Sequence, residues 1–232
     1  MTKDQISSFL WKRFPRLAAK LHSVTNNTVL NNAEFMEVYR ETIDEGKAVL
    51  SLRDMFNLYL YVSRARSLDG DMAEVGVFQG GGAKIICRFK GEAVLHLFDT
   101  FEGMPATDQA RDYHRKGDFS QTSLELVQSR LKAFANIVYH KGYFPETALA
   151  SDVASKTFSF VHLDMDIFQS TLDGLEFFYP RLVEGGFLLS HDYATASCPG
   201  VKAAFDIFCE KTGVLPIPLW DTHCLIVKQA KG

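Results

Sequence analysis

The sequence has few cysteines, and they carry no recognisable motif. Cys87, Cys198, Cys209 and Cys224 form no Cys-x-x-Cys pair and share no zinc-type spacing with histidine. Three of them lie in apolar helix or strand patterns, which favours reduced thiols in the core. The sequence therefore gives no indication of a disulfide framework or a structural zinc site.

An excess of one charge and long apolar runs are also missing. The chain has 25 Lys and Arg residues and 28 Asp and Glu residues, which give a net charge of −3. It therefore lacks the excess of basic residues that would indicate binding to nucleic acid or to an anionic membrane. No run reaches the ~18 apolar residues of a membrane span. The apolar stretch at residues 9–11 is interrupted by Lys12, Arg13 and Arg16, unlike a signal peptide. We therefore expect a cytoplasmic protein without nucleic-acid or membrane partners.

The first 68 residues predict a helical extension. A first helix is predicted from the helical spacing of Phe9, Leu10, Phe14, Leu17 and Leu21, and a second from the apolar residues within 55–62. Between them, four asparagines (Asn26, Asn27, Asn31 and Asn32) predict a loop. Such an extension could cover an active site, form a contact in a homo-oligomer or simply pad the edge of a sheet. We place the boundary of the main domain, residues 69–232, after it.

Beyond residue 70, short apolar strands alternate with helical stretches. The predicted strands are 72–78, 94–99, 137–140, 158–164 and 186–190, and the predicted helices are 83–89, 120–134, 171–179 and 201–211. This order predicts an α/β fold with a mostly parallel sheet, helices on both faces and right-handed crossovers. Residues 215–220 and 223–228 predict a terminal hairpin, which makes the last strand antiparallel.

The first strand is followed by a glycine-rich loop that opens a helix. It reads Glu74-Val-Gly76-Val77-Phe78-Gln-Gly80-Gly-Gly. Glycines allow close approach of a ligand, and ligands bind at the carboxyl ends of parallel strands. The loop lacks the Gly-x-Gly-x-x-Gly spacing of dinucleotide-binding proteins, and this weakens the interpretation as a phosphate-binding loop. The acidic Glu74 instead suits a cationic group such as the ammonium of methionine. A turn without any ligand is the alternative.

The second strand ends in Asp99, about 20 residues beyond the glycine loop, where an acid can accept hydrogen bonds from ribose hydroxyls. The alternative is that Asp99 caps the turn that follows. Residues 102–118, hereafter the lid segment, are long and polar and contain Asp108, Arg111, Asp112, His114 and Arg115. Segments of this length are often substrate lids, although a merely mobile loop is equally compatible with the sequence.

Three acids and a histidine follow the next two strands. Asp164 and Asp166 end one strand, and His191 and Asp192 end its expected neighbour, which would place Asp164 and Asp192 roughly 5 Å apart. Paired carboxylates need a positive charge between them. A hard cation such as Mg²⁺ could supply it and activate a substrate hydroxyl, with Asp166 as the base. The alternative is that these acids cap helices. His191 could bind the metal, act as a base or orient a neighbour, whereas His162 is expected in the core.

Several strings together resemble the macrocin O-methyltransferase family. They are Glu74-Val-Gly-Val-Phe-Gln-Gly-Gly, Phe98-Asp-Thr-Phe-Glu-Gly-Met-Pro, Lys141-Gly-Tyr-Phe-Pro-Glu-Thr, Leu163-Asp-Met-Asp-Ile-Phe-Gln-Ser-Thr, Tyr179-Pro-Arg-Leu, Gly185-Gly-Phe and His191-Asp-Tyr followed by Pro199-Gly. The resemblance implies the Rossmann-like class I methyltransferase fold with a seven-stranded sheet, S-adenosylmethionine as methyl donor, a Mg²⁺ ion and a small hydroxylated acceptor such as a sugar.

The resemblance also implies roles for individual residues. The candidates for the cofactor site are Glu74, Gly76, Val77, Phe78, Gly80, Asp99, Thr100, Phe101, Gly142, Tyr143 and Asp164. Asp164 and Asp192 are the expected metal ligands, with His191 as a further candidate, and Asp166 and His191 are the expected catalytic residues. His191 departs from the family, which usually has two adjacent acids here, and this puts the metal in question. A nicotinamide-dependent oxidoreductase, a non-catalytic cofactor-binding protein and an N-methyltransferase are the alternative functions.

Overall fold

The computed structural model describes residues 9–10, 12–14, 17, 29–44, 49–220 and 222–230. Helices and strands alternate over most of this range. The helices are α1 (Ala33–Asp44), α2 (Leu52–Ala65), α3 (Gly81–Phe89), α4 (Leu124–Leu131), α5 (Glu146–Leu149), α6 (Phe168–Phe178) and α7 (Pro199–Thr212). The strands are β1 (Asp71–Val75), β2 (Leu95–Asp99), β3 (Ile137–Lys141), β4 (Phe158–Leu163), β5 (Leu182–Ser190), β6 (Ile217–Pro218) and β7 (Cys224–Val227).

The strands form one seven-stranded sheet in the order β3-β2-β1-β4-β5-β7-β6. The first five strands along the chain are parallel, and β7 runs antiparallel to both β5 and β6. The strand order reverses between β1 and β4, which is the position where such sheets bind ligands. The predicted fold class is confirmed.

Helices cover both faces of the sheet, because the central strands are apolar on both sides. Every residue of β4 is buried. One hydrophobic cluster joins α1, α2 and α3 to the sheet, and a second joins α6 and α7 to its opposite face. The extension therefore contributes α2 directly to the core. Helix α2 begins at a capping box in which Ser51 and Asp54 exchange hydrogen bonds.

Several element boundaries differ from the sequence expectation. β1 ends at Val75 rather than residue 78, because the backbone turns at Gly76, where φ is +86°. The terminal hairpin forms as predicted, but β6 has only two residues. Phe9, Leu10 and Leu17 are helical and Asn32 accepts a hydrogen bond from the first turn of α1, whereas Leu21, Asn26 and Asn27 lie outside the described residues. In the part of the chain that the structure describes, no helix is long and apolar enough to cross a membrane.

Candidate active site at the carboxyl edge of the sheet

A cavity of about 610 Å³ opens at the carboxyl ends of β1, β2, β4 and β5. This volume is typical of small-molecule sites. Twelve of the residues expected at the site line it, namely Glu74, Gly76, Val77, Phe78, Asp99, Thr100, Gly142, Tyr143, Asp164, Asp166, His191 and Asp192. Gly80 and Phe101 do not. Gly80 caps α3 and faces Val127, and the Phe101 side chain is 2% exposed within the hydrophobic core.

The glycine loop is held by a close contact with β4 and by Asp99. A Cβ atom on Gly76 would lie 1.8 Å from the carbonyl oxygen of Asp164, so no other residue fits there. The Asp99 carboxylate accepts hydrogen bonds from the amides of Val77 (2.7 Å), Phe78 (2.8 Å) and Phe101 (2.6 Å). Asp99 thus caps the turn and ties two loops together at the cavity wall. Its predicted role in ribose binding stays a prediction.

Glu74 is a buried acid with one unsatisfied oxygen. Its Oε1 lies 2.9 Å from Nδ1 of His162, the histidine expected in the core, while Oε2 has no hydrogen-bond partner among the described residues. Burial raises the pKa of Glu74, with help from the Asp164 and Asp99 charges, and burial lowers the pKa of His162 to about 3. His162 is therefore neutral, and Glu74 is a wall residue of the cavity whose Oε2 atom is left without a partner among the described residues.

His191 lies between the two acids that were expected to hold a metal. Its Nδ1 atom is 2.8 Å from Oδ2 of Asp192 and 3.0 Å from Oδ1 of Asp164. The ligand atoms of these three residues lie within 4.8 Å of one another, which agrees with the predicted closeness of the two strand ends. Burial disfavours a charged ring, but the Asp164 charge and the flanking carboxylates outweigh it and raise the pKa of His191 well above its ordinary value. A protonated His191 ring would supply the positive charge that this carboxylate pair needs.

The opposite edge of the His191 ring faces Asp54 of α2. The distance from Nε2 to Oδ2 of Asp54 is 3.6 Å, and Oδ1 of Asp54 lies 3.4 Å from Nδ1 of His223. Burial of Asp54 opposes its ionisation, but the interactions with His191 and His223 prevail and hold the pKa of Asp54 far below its usual range. The sequence analysis missed Asp54. Its only sequence signal is the Ser51-x-x-Asp54 capping box, which predicts a helix start and not this partner.

Asp166 lines the cavity in a constrained conformation. Its φ is +60°, in the left-handed region. Burial and the charges of Asp164 and Asp192 raise the pKa of Asp166 well above its ordinary value. The Cys198 thiol lies 3.8 Å from Oδ1 of Asp166 and 3.6 Å from Nε2 of His114, and burial raises the pKa of Cys198 to about 12, so it stays protonated.

The comparisons with known proteins agree with this geometry. The family model described as Macrocin-O-methyltransferase (TylF) matches residues 47–227. A tetracenomycin-type rhamnosyl 4'-O-methyltransferase from Streptomyces olivaceus is 28% identical over 65% of this chain and 64% of its own length. The demethyldecarbamoylnovobiocin O-methyltransferase of Streptomyces niveus is 25% identical over 62% and 60%. The chain thus spans less than two thirds of the length of these two relatives.

A longer alignment is made with the mycinamicin III 3''-O-methyltransferase of Micromonospora griseorubida, at 25% identity over 85% of this chain and 83% of that protein. Solved structures show the same fold. The O-methyltransferase NovP superposes with a TM-score of 0.68 at 22% identity, over 79% of this chain and 82% of NovP. The calicheamicin methyltransferase CalS11 superposes with a TM-score of 0.67 at 16% identity, over 90% and 92%.

Proposed function

This chain belongs to the macrocin O-methyltransferase family, and from that premise we propose that it transfers a methyl group from S-adenosylmethionine to a hydroxyl group of a small molecule. The matched region contains the whole sheet and every residue that lines the cavity. Three relatives are named as O-methyltransferases, and the name of one gives a rhamnosyl-tetracenomycin as its substrate. A sugar hydroxyl is therefore the proposed acceptor class. The cytoplasmic location, the possible homo-oligomer and the domain boundary at residue 69 stay predictions.

The observation that carries the proposal is the unsatisfied Oε2 atom of buried Glu74 at the glycine loop. An unpaired buried carboxylate oxygen is costly, and the ammonium of a methionine moiety would satisfy it and favour the ionised carboxylate. Gly82 has no room for a side chain because its Cβ would lie 2.3 Å from Oε1 of Glu74. S-adenosylmethionine would supply a methyl group already activated on a sulfonium. The protein's task is then to position the acceptor and remove its proton.

The donor set does not fit the predicted Mg²⁺ ion. Mg²⁺ takes oxygen ligands in a near-ideal octahedral arrangement. Here Nδ1 of His191 lies against both Asp164 and Asp192, at the place between the carboxylates that a shared cation would take. We therefore assign charge balance to the His191 ring, and no step of the proposed reaction uses a metal.

Isothermal titration calorimetry with S-adenosylmethionine tests the proposal on chelator-treated protein. We expect binding, and we expect that adding Mg²⁺ or Mn²⁺ produces no further heat. Asp206→Asn is the matched control, because it removes a carboxylate that pairs with Lys202 on the exposed surface of α7. Its binding should equal that of the natural chain.

Turnover is then measured as S-adenosylhomocysteine formed with three hydroxylated acceptors: TDP-rhamnose, methyl rhamnoside and catechol. Transfer to a sugar hydroxyl supports the proposal. Absence of cofactor binding would overturn it, and binding without transfer to any of the three would leave a cofactor-binding protein. If adding Mg²⁺ produces heat with the natural chain but not with Asp164→Ala, a metal ion bound at Asp164 has to be added to the proposed mechanism.

A further inference from the structure

The lid segment is held against the body of the protein. The amide of Met104 donates to the carbonyl of Asp118 (2.8 Å), which closes the segment at its base. Asp112 is buried, and its Oδ1 atom accepts a hydrogen bond of 2.7 Å from the amide of Phe168 at the start of α6. His114 lies two residues after Asp112 and lines the cavity. These contacts with the rest of the protein therefore set its position.

Three side chains of different chemistry meet beside the lid segment. Nε2 of His114 lies 3.6 Å from Sγ of Cys198, and the same Sγ lies 3.8 Å from Oδ1 of Asp166. One ligand atom from each of the three residues lies within 4.8 Å of the other two. His114 belongs to the lid segment, Asp166 follows β4 and Cys198 directly precedes α7. No local spacing in the sequence could therefore indicate this cluster.

The separations within the cluster are close to those of ligands around a tetrahedral zinc ion. Zn²⁺ binds thiolate sulfur at about 2.3 Å and imidazole nitrogen or carboxylate oxygen at about 2.0–2.2 Å. Two such ligand atoms lie about 3.5 Å apart across the tetrahedral angle, and the observed distances from Sγ of Cys198 are 3.6 and 3.8 Å. A thiolate with an imidazole selects Zn²⁺ over Mg²⁺. The cluster thus differs in its chemistry from Asp164, His191 and Asp192.

His114 also has the outer partner that a metal-binding histidine usually has. Its Nδ1 atom lies 3.3 Å from Oδ2 of Asp118, and the same oxygen accepts a hydrogen bond of 3.0 Å from the amide of Arg115. A carboxylate beside one ring nitrogen holds the proton there and leaves the other nitrogen to bind a metal. Nε2, the nitrogen on the side of Cys198, is therefore the one that can be a ligand.

We propose that His114, Cys198 and Asp166 bind Zn²⁺, and that the bound ion inhibits methyl transfer. The S–H bond of Cys198 breaks, sulfur binds the ion, and the proton goes to solvent together with any proton held by Asp166. Without the ion, Asp166 keeps the role of proton acceptor expected from the sequence. With the ion, its carboxylate is a ligand and cannot take the proton of the acceptor. Binding of the ion is independent of the proposed function, whereas the inhibition rests on it.

Titration of the chelator-treated chain with Cd²⁺ tests the site without any acceptor. Cd²⁺ takes the same soft ligands as Zn²⁺, and its bond to a thiolate absorbs in the ultraviolet. We expect this absorption to saturate at a single ion per chain, to resist excess Mg²⁺ and to be lost in Cys198→Ser. Asp118→Asn should weaken Cd²⁺ binding by about 10–100-fold, the usual effect of removing an outer partner, and keep the same absorption at saturation.

Cys209→Ser is the matched control, because it removes another free thiol, which belongs to α7 and does not line the cavity. Its titration should equal that of the natural chain. Absorption that persists in Cys198→Ser would show that Cd²⁺ binds elsewhere and would overturn the proposed site. Absence of absorption in the natural chain would overturn it as well.

The inhibition is measured as S-adenosylhomocysteine formed with the acceptor that the natural chain turns over fastest among TDP-rhamnose, methyl rhamnoside and catechol. Saturation with Zn²⁺ should slow the natural chain by at least about 10²-fold, because a positioned base contributes about 10²–10⁴-fold, and a chelator should restore the rate. Each variant is compared with its own rate without metal. Cys198→Ser should lose the inhibition, and Cys209→Ser should keep it.

The two parts of the proposal fail separately. If Cd²⁺ binds at Cys198 but Zn²⁺ leaves the rate of the natural chain unchanged, the inhibition is overturned and the metal site remains. If the natural chain transfers no methyl group to any acceptor, the proposed function fails, and the Cd²⁺ titration still decides whether the site exists.

Discussion

Replacing His191 with asparagine removes a cation that three carboxylates share. At an effective dielectric constant of about 20, two unit charges separated by the observed 2.8 or 3.0 Å attract each other by about 5–6 kcal/mol. Desolvation of the buried ring offsets much of this attraction. Removing one partner of a buried ion pair nevertheless costs about 3–5 kcal/mol, because the remaining charges stay buried and unpaired. We expect His191→Asn to lower the free energy of unfolding at pH 7 by that amount.

The dependence of this loss on pH identifies its cause. The pKa of His191 is raised in the folded state, so its stabilisation is complete below the unfolded pKa of about 6.5 and is lost progressively as pH rises towards the folded pKa. The difference in stability between the natural chain and His191→Asn should therefore shrink above about pH 7. Its slope can reach about 1.4 kcal/mol per pH unit.

Urea unfolding followed by circular dichroism from pH 6 to pH 9.5 provides the measurement. Asp206→Asn, which breaks an exposed ion pair, should change stability by no more than about 0.5 kcal/mol at any pH. A His191→Asn loss below about 1 kcal/mol, or a loss that stays constant over this pH range, would refute the assignment of His191 as a buried cation.

Three further substitutions test other parts of the site. Glu74→Gln should weaken S-adenosylmethionine binding by at least about tenfold in calorimetry, because a charge-assisted hydrogen bond is replaced by a neutral one; unchanged affinity would remove Glu74 from the cofactor site. Gly76→Ala should destabilise the fold by about 2–6 kcal/mol in urea, through its positive φ and the collision with the Asp164 carbonyl. Gly91 also has a positive φ but has open space around it. Gly91→Ala should therefore lower the free energy of unfolding by less than Gly76→Ala does, and equal losses would contradict the steric argument. His191→Asp should release heat on addition of Mg²⁺ in calorimetry, which the natural chain should not do. If His191→Asp gives no such heat, features of the site other than the His191 ring also exclude the ion.

Most of the sheet could be predicted from the sequence, because buried parallel strands are short apolar runs bounded by polar and glycine residues. The ends of β1 and β5 could not. β1 stops at Val75 because the carbonyl of Asp164, the residue that follows β4, approaches Gly76. These two residues are 88 positions apart in the numbering (164 − 76). Local periodicity contains no information about such a contact.

The site was predictable to the extent that it follows strand ends. Asp164, Asp166, His191 and Asp192 meet because β4 and β5 are neighbouring parallel strands. Gly80 and Phe101 were expected at the cofactor, but one caps a helix and the other enters the core. Asp54 was missed, because its partner His191 comes from a distant part of the chain and no local pattern connects them.

The contacts of Asp54 have a consequence for how the protein is made. Its Oδ1 atom accepts a hydrogen bond of 3.2 Å from Thr222, 168 positions later in the chain, and it also faces His223 just before β7. A ribosome adds about 5–20 residues per second. Helix α2 therefore leaves the exit tunnel many seconds before Thr222 and His223, which contact the Asp54 carboxylate. The nascent protein can assemble β1 to β5 while Asp54 still lacks these partners. The charge network around His191 therefore closes only when synthesis has passed residue 223.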